Sequence, residues 1–77
     1  MTQIISNQKA GKCTRLHLVE SNGLFTIEAL QQRTGKSLVH KVLDQVPTFH
    51  EAIMSFSWYR GELLKGRALD TFEGRPE

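Results

Sequence analysis

The stretch from Thr14 to Gln32, "TRLHLVESNGLFTIEALQQ", decides the fold. Asn22-Gly23 sits at its middle, with apolar and polar residues alternating on either side. An Asn-Gly pair between two alternating runs is the strongest short-range signal for a two-residue β-hairpin, because both central residues of that turn take positive φ. Pairing Ser21 with Leu24 across the turn sets a register that sorts the side chains. On one face Leu18 meets Ile27, Leu16 meets Ala29 and Glu20 meets Phe25. On the other, Arg15 meets Leu30, His17 meets Glu28 and Val19 meets Thr26. A slip of one residue would send every one of these side chains to the wrong face.

Towards the C-terminus, "RTGKSLVHKV" at residues 33–42 contains Gly35-Lys36-Ser37, the letters that close a nucleotide-binding loop. Such a loop needs a glycine at the fifth position before the Gly-Lys pair, so that backbone N–H groups can wrap the phosphates. That position holds Leu30, so the segment reads as a turn. Two periods compete over residues 36–46. Leu38, Val39, Val42, Leu43 and Val46 fit a helical stripe, and they equally fit a strand with apolar residues on both faces. The strand is preferred because a two-stranded ribbon is marginal in water and a third strand stabilises it. With Thr34-Gly35 as a tight loop, Ile27 would lie opposite Val42 and Glu28 opposite Lys41. The helix is the alternative reading.

Pro47 ends this segment. Thr48 and Glu51 make a T-x-x-E capping box, after which Phe49, Ala52, Ile53, Phe56, Tyr59 and Leu63 recur at helical spacing as a core stripe. Arg60 falls on the same stripe near its end. Gly66 is a suitable C-cap, and Gly61 an earlier stop. The fold class is therefore α+β, with a three-stranded antiparallel meander and one C-terminal helix packed on one face (β-β-β-α). Residues 1–77 form one domain, with an N-terminal arm at 1–10, a folded core at 12–66 and a tail at 67–77.

Composition sets outer limits. The 77 residues are 39% hydrophobic and 23% charged, with a net charge of +2 and a pI near 9.0. A chain this short has little room for both a core and a deep catalytic pocket. The N-terminal "MTQIISNQKAGK" has no apolar run long enough for a signal peptide or a membrane span. Cys13 is the one cysteine, which excludes an internal disulfide framework. A reduced, cytoplasmic setting is expected, with no membrane contact.

Catalysis finds little support. Cys13 and His17 could share a strand face, but no third group completes a catalytic set. His40 and His50 are not paired with further ligands as a zinc site requires, and Glu20, Glu28, Asp44 and Glu51 are scattered. No enzyme activity, cofactor, metal or small-molecule substrate is expected.

One helix covers one face of a sheet, and the other face must meet water or a partner. In the register above that face carries Arg15, His17, Val19, Thr26, Glu28, Leu30, Val39, Lys41 and Leu43. A solvated face would be polar throughout, whereas four aliphatic residues interrupt this one, as an interface requires. The competing account has Ile4 and Ile5 of the arm folding over it. Met54 and Trp58 project away from the core stripe and suit contact with a partner, unless Leu69 and Phe72 of the tail fold back over them.

Two kinds of partner fit. The first is another protein or a second copy of the chain, making this a small regulator, adaptor or inhibitor. The second is nucleic acid, with Lys12, Arg15, Arg33 and Lys36, helped by Lys41, supplying phosphate contacts from one end of the sheet. That face lacks aromatic residues for base stacking, which favours the protein. In size and element order the chain is similar in outline to small phage-encoded inhibitors of bacterial defence complexes. That resemblance implies a pocketless protein, phage- or mobile-element-like, that works by occupying a surface.

Overall fold

The computed structural model describes residues 2–32, 35, 37–67 and 69. Its centre is the hairpin formed by β2 (Thr14–Ser21) and β3 (Leu24–Gln31). Ser21 pairs with Leu24, Leu18 with Ile27 and Leu16 with Ala29, the register that the alternation predicts. Asn22 and Gly23 both take positive φ, 53° and 81°, as the two-residue turn between right-twisted strands demands.

The meander has four strands, and this corrects the expected three. Residues expected to form a loose arm make β1 (Thr2–Lys9), antiparallel to β2 and at the edge of the sheet. Ile4 pairs with Val19 and Ser6 with Leu18, so a bulge lies between them and Ile5 is the additional residue. "TQIISNQK" has no clean alternation, and the bulge is the reason: the face parity changes in the middle of the strand. The strand alternative holds for residues 39–46, which form β4 (Val39–Val46) on the far edge.

The register of β4 also differs from expectation. Glu28 pairs with Val42, Ala29 with Lys41 and Gln31 with Val39. This register centres the connection on Gly35, whose φ is +76°, rather than on the two residues Thr34-Gly35. A one-residue change in loop size inverts the faces of the following strand. Between Ile27 and Glu28 the register shifts again, with Ile27 opposite Asp44. Leu43 is the extra residue of this bulge. It points into the core with 1% of its surface exposed.

Helix α1 (Phe49–Leu64) crosses the face formed by Leu16, Leu18, Ile27, Ala29 and Leu43. Thr48 caps it by accepting a hydrogen bond from the Glu51 backbone N–H at 3.3 Å. Its end is a Schellman motif: the Gly66 N–H donates to the Leu63 carbonyl, the Arg67 N–H donates to the Glu62 carbonyl, and Gly66 has φ +93°. The buried stripe is Ala52, Ser55, Phe56, Tyr59 and Leu63. Phe49 and Ile53, expected in the core, lie on its exposed flank, where Phe49 meets the edge of Phe25 with ring centroids 5.7 Å apart.

Polar groups lock the helix onto the β4 bulge. The Tyr59 hydroxyl donates to the Leu43 carbonyl at 3.1 Å, and the Ser55 hydroxyl donates to the Asp44 carboxylate. A bulge interrupts the ladder, and here side chains of the helix bond to both bulge residues. Leu69 is buried in the same core cluster.

Candidate interaction surfaces

The helix occupies one face of the sheet, and the strand registers define the other as a grid. Nearest the β2–β3 turn lie Thr2, Ser21 and Leu24. The next row holds Ile4, Val19, Thr26 and Gln45, and the one after it Asn7, His17, Glu28 and Val42. The row nearest the β1–β2 turn holds Lys9, Arg15, Leu30 and His40. Side chains alternate across a pleated sheet, so these rows share the helix-free face.

Of the nine residues expected there from sequence, Arg15, His17, Val19, Thr26, Glu28 and Leu30 are in place. Val39, Lys41 and Leu43 are not. The one-residue register difference sets Val39 and Lys41 opposite Gln31 and Ala29 in rows that face the helix, and the bulge buries Leu43. Their places are taken by His40, Val42 and Gln45. Sequence reasoning missed these three, and it missed the contribution of β1, which brings Ile4, Asn7 and Lys9. Ile4 does meet this face, as a neighbouring strand beside Val19 rather than as an arm folded across it.

The face changes character along its length. Ile4 is 59% exposed and Val42 51%, whereas Val19 between its neighbours is only 8% exposed. In the middle, Glu28 has His17 directly across from it, and His40 Nε2 lies 3.6 Å from its Oε2. This is a solvated polar cluster. Among the described residues no group of His, Cys, Asp and Glu is arranged to hold a metal.

The far end is basic. Lys9, Lys12 and Arg15 line an open concavity of about 770 Å³, together with Asn7, His17, Cys13, Leu30, Gln32 and Leu38. The β1–β2 turn that presents Lys12 is closed by the Ala10 N–H donating to the Thr14 carbonyl at 2.9 Å. The Gln32 N–H donates to the Cys13 carbonyl at 3.0 Å, extending the β2–β3 ladder to the rim. Arg15 Nη1 donates to Asn7 Oδ1 at 3.5 Å. Arg33 and Lys36, the other two candidate phosphate ligands, lie outside the described residues. The Gly35-Lys36-Ser37 segment opens onto strand β4, whereas a phosphate loop opens onto a helix N-terminus.

Met54 and Trp58 sit on the opposite side of the molecule, 60% and 53% exposed. Leu69, expected to fold over them, lies in the core cluster, and Phe72 lies outside the described residues. Trp58 rests edge-on against Tyr59 at 4.9 Å between centroids. A flat partner could not touch both this surface and the helix-free sheet face. Among the described residues no helix is long and apolar enough to cross a membrane. Neither a family model, nor a curated protein, nor a solved structure matches this chain.

Proposed function

We propose that this chain is a non-enzymatic protein-binding module that works through the helix-free face of its sheet, with a second copy of itself as the simplest partner. The reading is supported by one observation above the rest. Ile4, Val42 and Leu24 are all exposed on a sheet face that no second layer covers among the described residues. These aliphatic groups are interspersed with Asn7, His17, Glu28 and Gln45 across the four strands, a mixture that suits an interface better than a solvated surface. Four strands about 4.8 Å apart and eight residues long at about 3.4 Å each give the whole face roughly 500 Å², and the part towards the β2–β3 turn is the size of a small, weak interface. A regulator, adaptor or inhibitor needs no more than this.

The test is the mass of the particle in solution. Wild-type protein followed by light scattering across a concentration series should approach twice the chain mass, and Ile4→Gln combined with Val42→Gln should remain monomeric. Both positions are exposed and lie on edge strands, so the double variant should keep its melting temperature. A wild type that stays monomeric at the highest concentration, and that crosslinks to the same partners as the double variant, would sink the reading.

A further inference from the structure

We infer that the basic concavity at the β1–β2 turn binds the phosphodiester backbone of nucleic acid, without reading its bases. The inference does not rest on the protein-binding reading, because it uses a different end of the sheet. Three cations, Lys9, Lys12 and Arg15, converge on the concavity, and among the described residues no carboxylate lines it. All three are exposed, and among the described residues none makes an ion pair.

The five described carboxylates lie elsewhere, Glu51 in the first turn of α1. Glu62 pairs with Lys65 and Arg67 at 3.1 and 3.3 Å, and the hydrogen bond from Lys65, followed by the charges of Lys65 and Arg67, holds its carboxyl below the ordinary range. Glu28 faces His40, and Asp44 accepts from Ser55 on the helix side. Glu20 lies next to the β2–β3 turn, at the other end of the sheet. A net charge of +2 therefore understates the local field, since three cations and none of the described carboxylates line this concavity.

One feature favours phosphate over an acidic protein. Lysine supplies two of the three charges, and lysine is depleted in protein–protein interfaces while it is a standard phosphate ligand. Arg15 contacts Asn7 Oδ1 through Nη1 at 3.5 Å, which leaves further guanidinium donors for a phosphate oxygen. Among the described residues no Phe, Tyr or Trp lines the site, and His17 is its one aromatic ring. The binding is therefore mainly electrostatic and tolerant of sequence.

Fluorescence anisotropy with short mixed-sequence single-stranded and duplex DNA tests this. Dissociation constants on the order of 10⁻⁶ to 10⁻⁴ M are expected at physiological salt, as for sequence-independent contacts. Three phosphate contacts give a slope of log K against log salt of about −2 for single strands and about −2.7 for duplex. Lys9→Glu, Lys12→Glu and Arg15→Glu together should abolish binding. Lys12→Gln alone, the milder variant should the triple one fail to fold, should flatten the single-strand slope by about 0.7. N-ethylmaleimide, an uncharged reagent, should modify the exposed Cys13 at the rim of the site more slowly when DNA is bound. The inference is overturned by no binding at low salt, by a slope near zero, by unchanged binding in the charge variants, or by unchanged Cys13 reactivity. Displacement of DNA by polyglutamate at equal charge concentration would also overturn it, by showing an acidic-peptide site.

Discussion

Leu43 shows how much one side chain can hold together. It fills the core beneath α1, and its carbonyl takes the Tyr59 hydroxyl. Val39, four residues earlier on the same strand, is 46% exposed and beyond the buried cluster. The two residues have similar apolar character and very different expected costs. Leu43→Ala should destabilise the fold by about 2–5 kcal/mol, through lost transfer energy and the cavity left behind. Val39→Ala should cost roughly 0.5 kcal/mol or less, as exposed substitutions do. Urea denaturation of the two variants checks this, and equal midpoints would show that Leu43 is not in the core. Ser55 makes the complementary case. It occupies a core-facing helix position at 2% exposure because Asp44 on the facing strand accepts a hydrogen bond from its hydroxyl, and a buried hydroxyl is tolerated where such a partner exists.

At the scale of elements, loops and bulges decide which side chains reach which face. The β2–β3 turn is fixed by Asn22-Gly23, and its register follows from local chemistry alone. The β3–β4 connection is longer, running from residue 32 to residue 38, and Gly35 takes φ +76° with nothing beyond its own chain neighbours within 4 Å of the position a Cβ would occupy. Space is therefore not the constraint at Gly35; backbone conformation is. Gly35→Val should destabilise by about 1 kcal/mol or more, because a β-branched residue resists positive φ. Gly35→Asn should recover part of the loss, since asparagine tolerates that region. Thermal melts that rank valine level with asparagine would show that the loop does not need this conformation. The helix depends less on subtle geometry. Thr48 at its start and Gly66 at its end both act as their sequence signals indicate.

Across the whole molecule, the helix-free face divides into an apolar half and a basic end. Val19 and Arg15 are four residues apart on β2, or about 14 Å at strand rise. Sites separated by more than about 10 Å with no shared partner behave additively. The Ile4→Gln/Val42→Gln pair should therefore lower self-association and leave DNA affinity unchanged. The Lys9→Glu/Lys12→Glu/Arg15→Glu set should do the reverse. Anisotropy and light scattering on both variants check the separation. Loss of DNA binding in the glutamine pair would mean that dimerisation assembles the anion site from two chains.

The sequence by itself determined the elements whose causes are local: the Asn22-Gly23 hairpin and its register, the Thr48 cap, the helix through Tyr59 and Leu63, and six residues of the helix-free face. It also excluded the phosphate loop, through Leu30 at the position that needs glycine. Tertiary structure decided the rest. β1 carries weak alternation because a bulge at Ile5 changes its parity, and an edge strand is held by pairing with β2 rather than by its own pattern. The faces of β4 depend on whether the loop around Gly35 has an even or odd count and on where the Leu43 bulge falls. Both choices are settled by burial of Leu43 against α1 and by the bonds from Tyr59 and Ser55 to the bulge. A pleated strand repeats every two residues, so an apolar run such as Leu38-Val39 and Val42-Leu43 satisfies either register. Only packing against a distant helix distinguishes them.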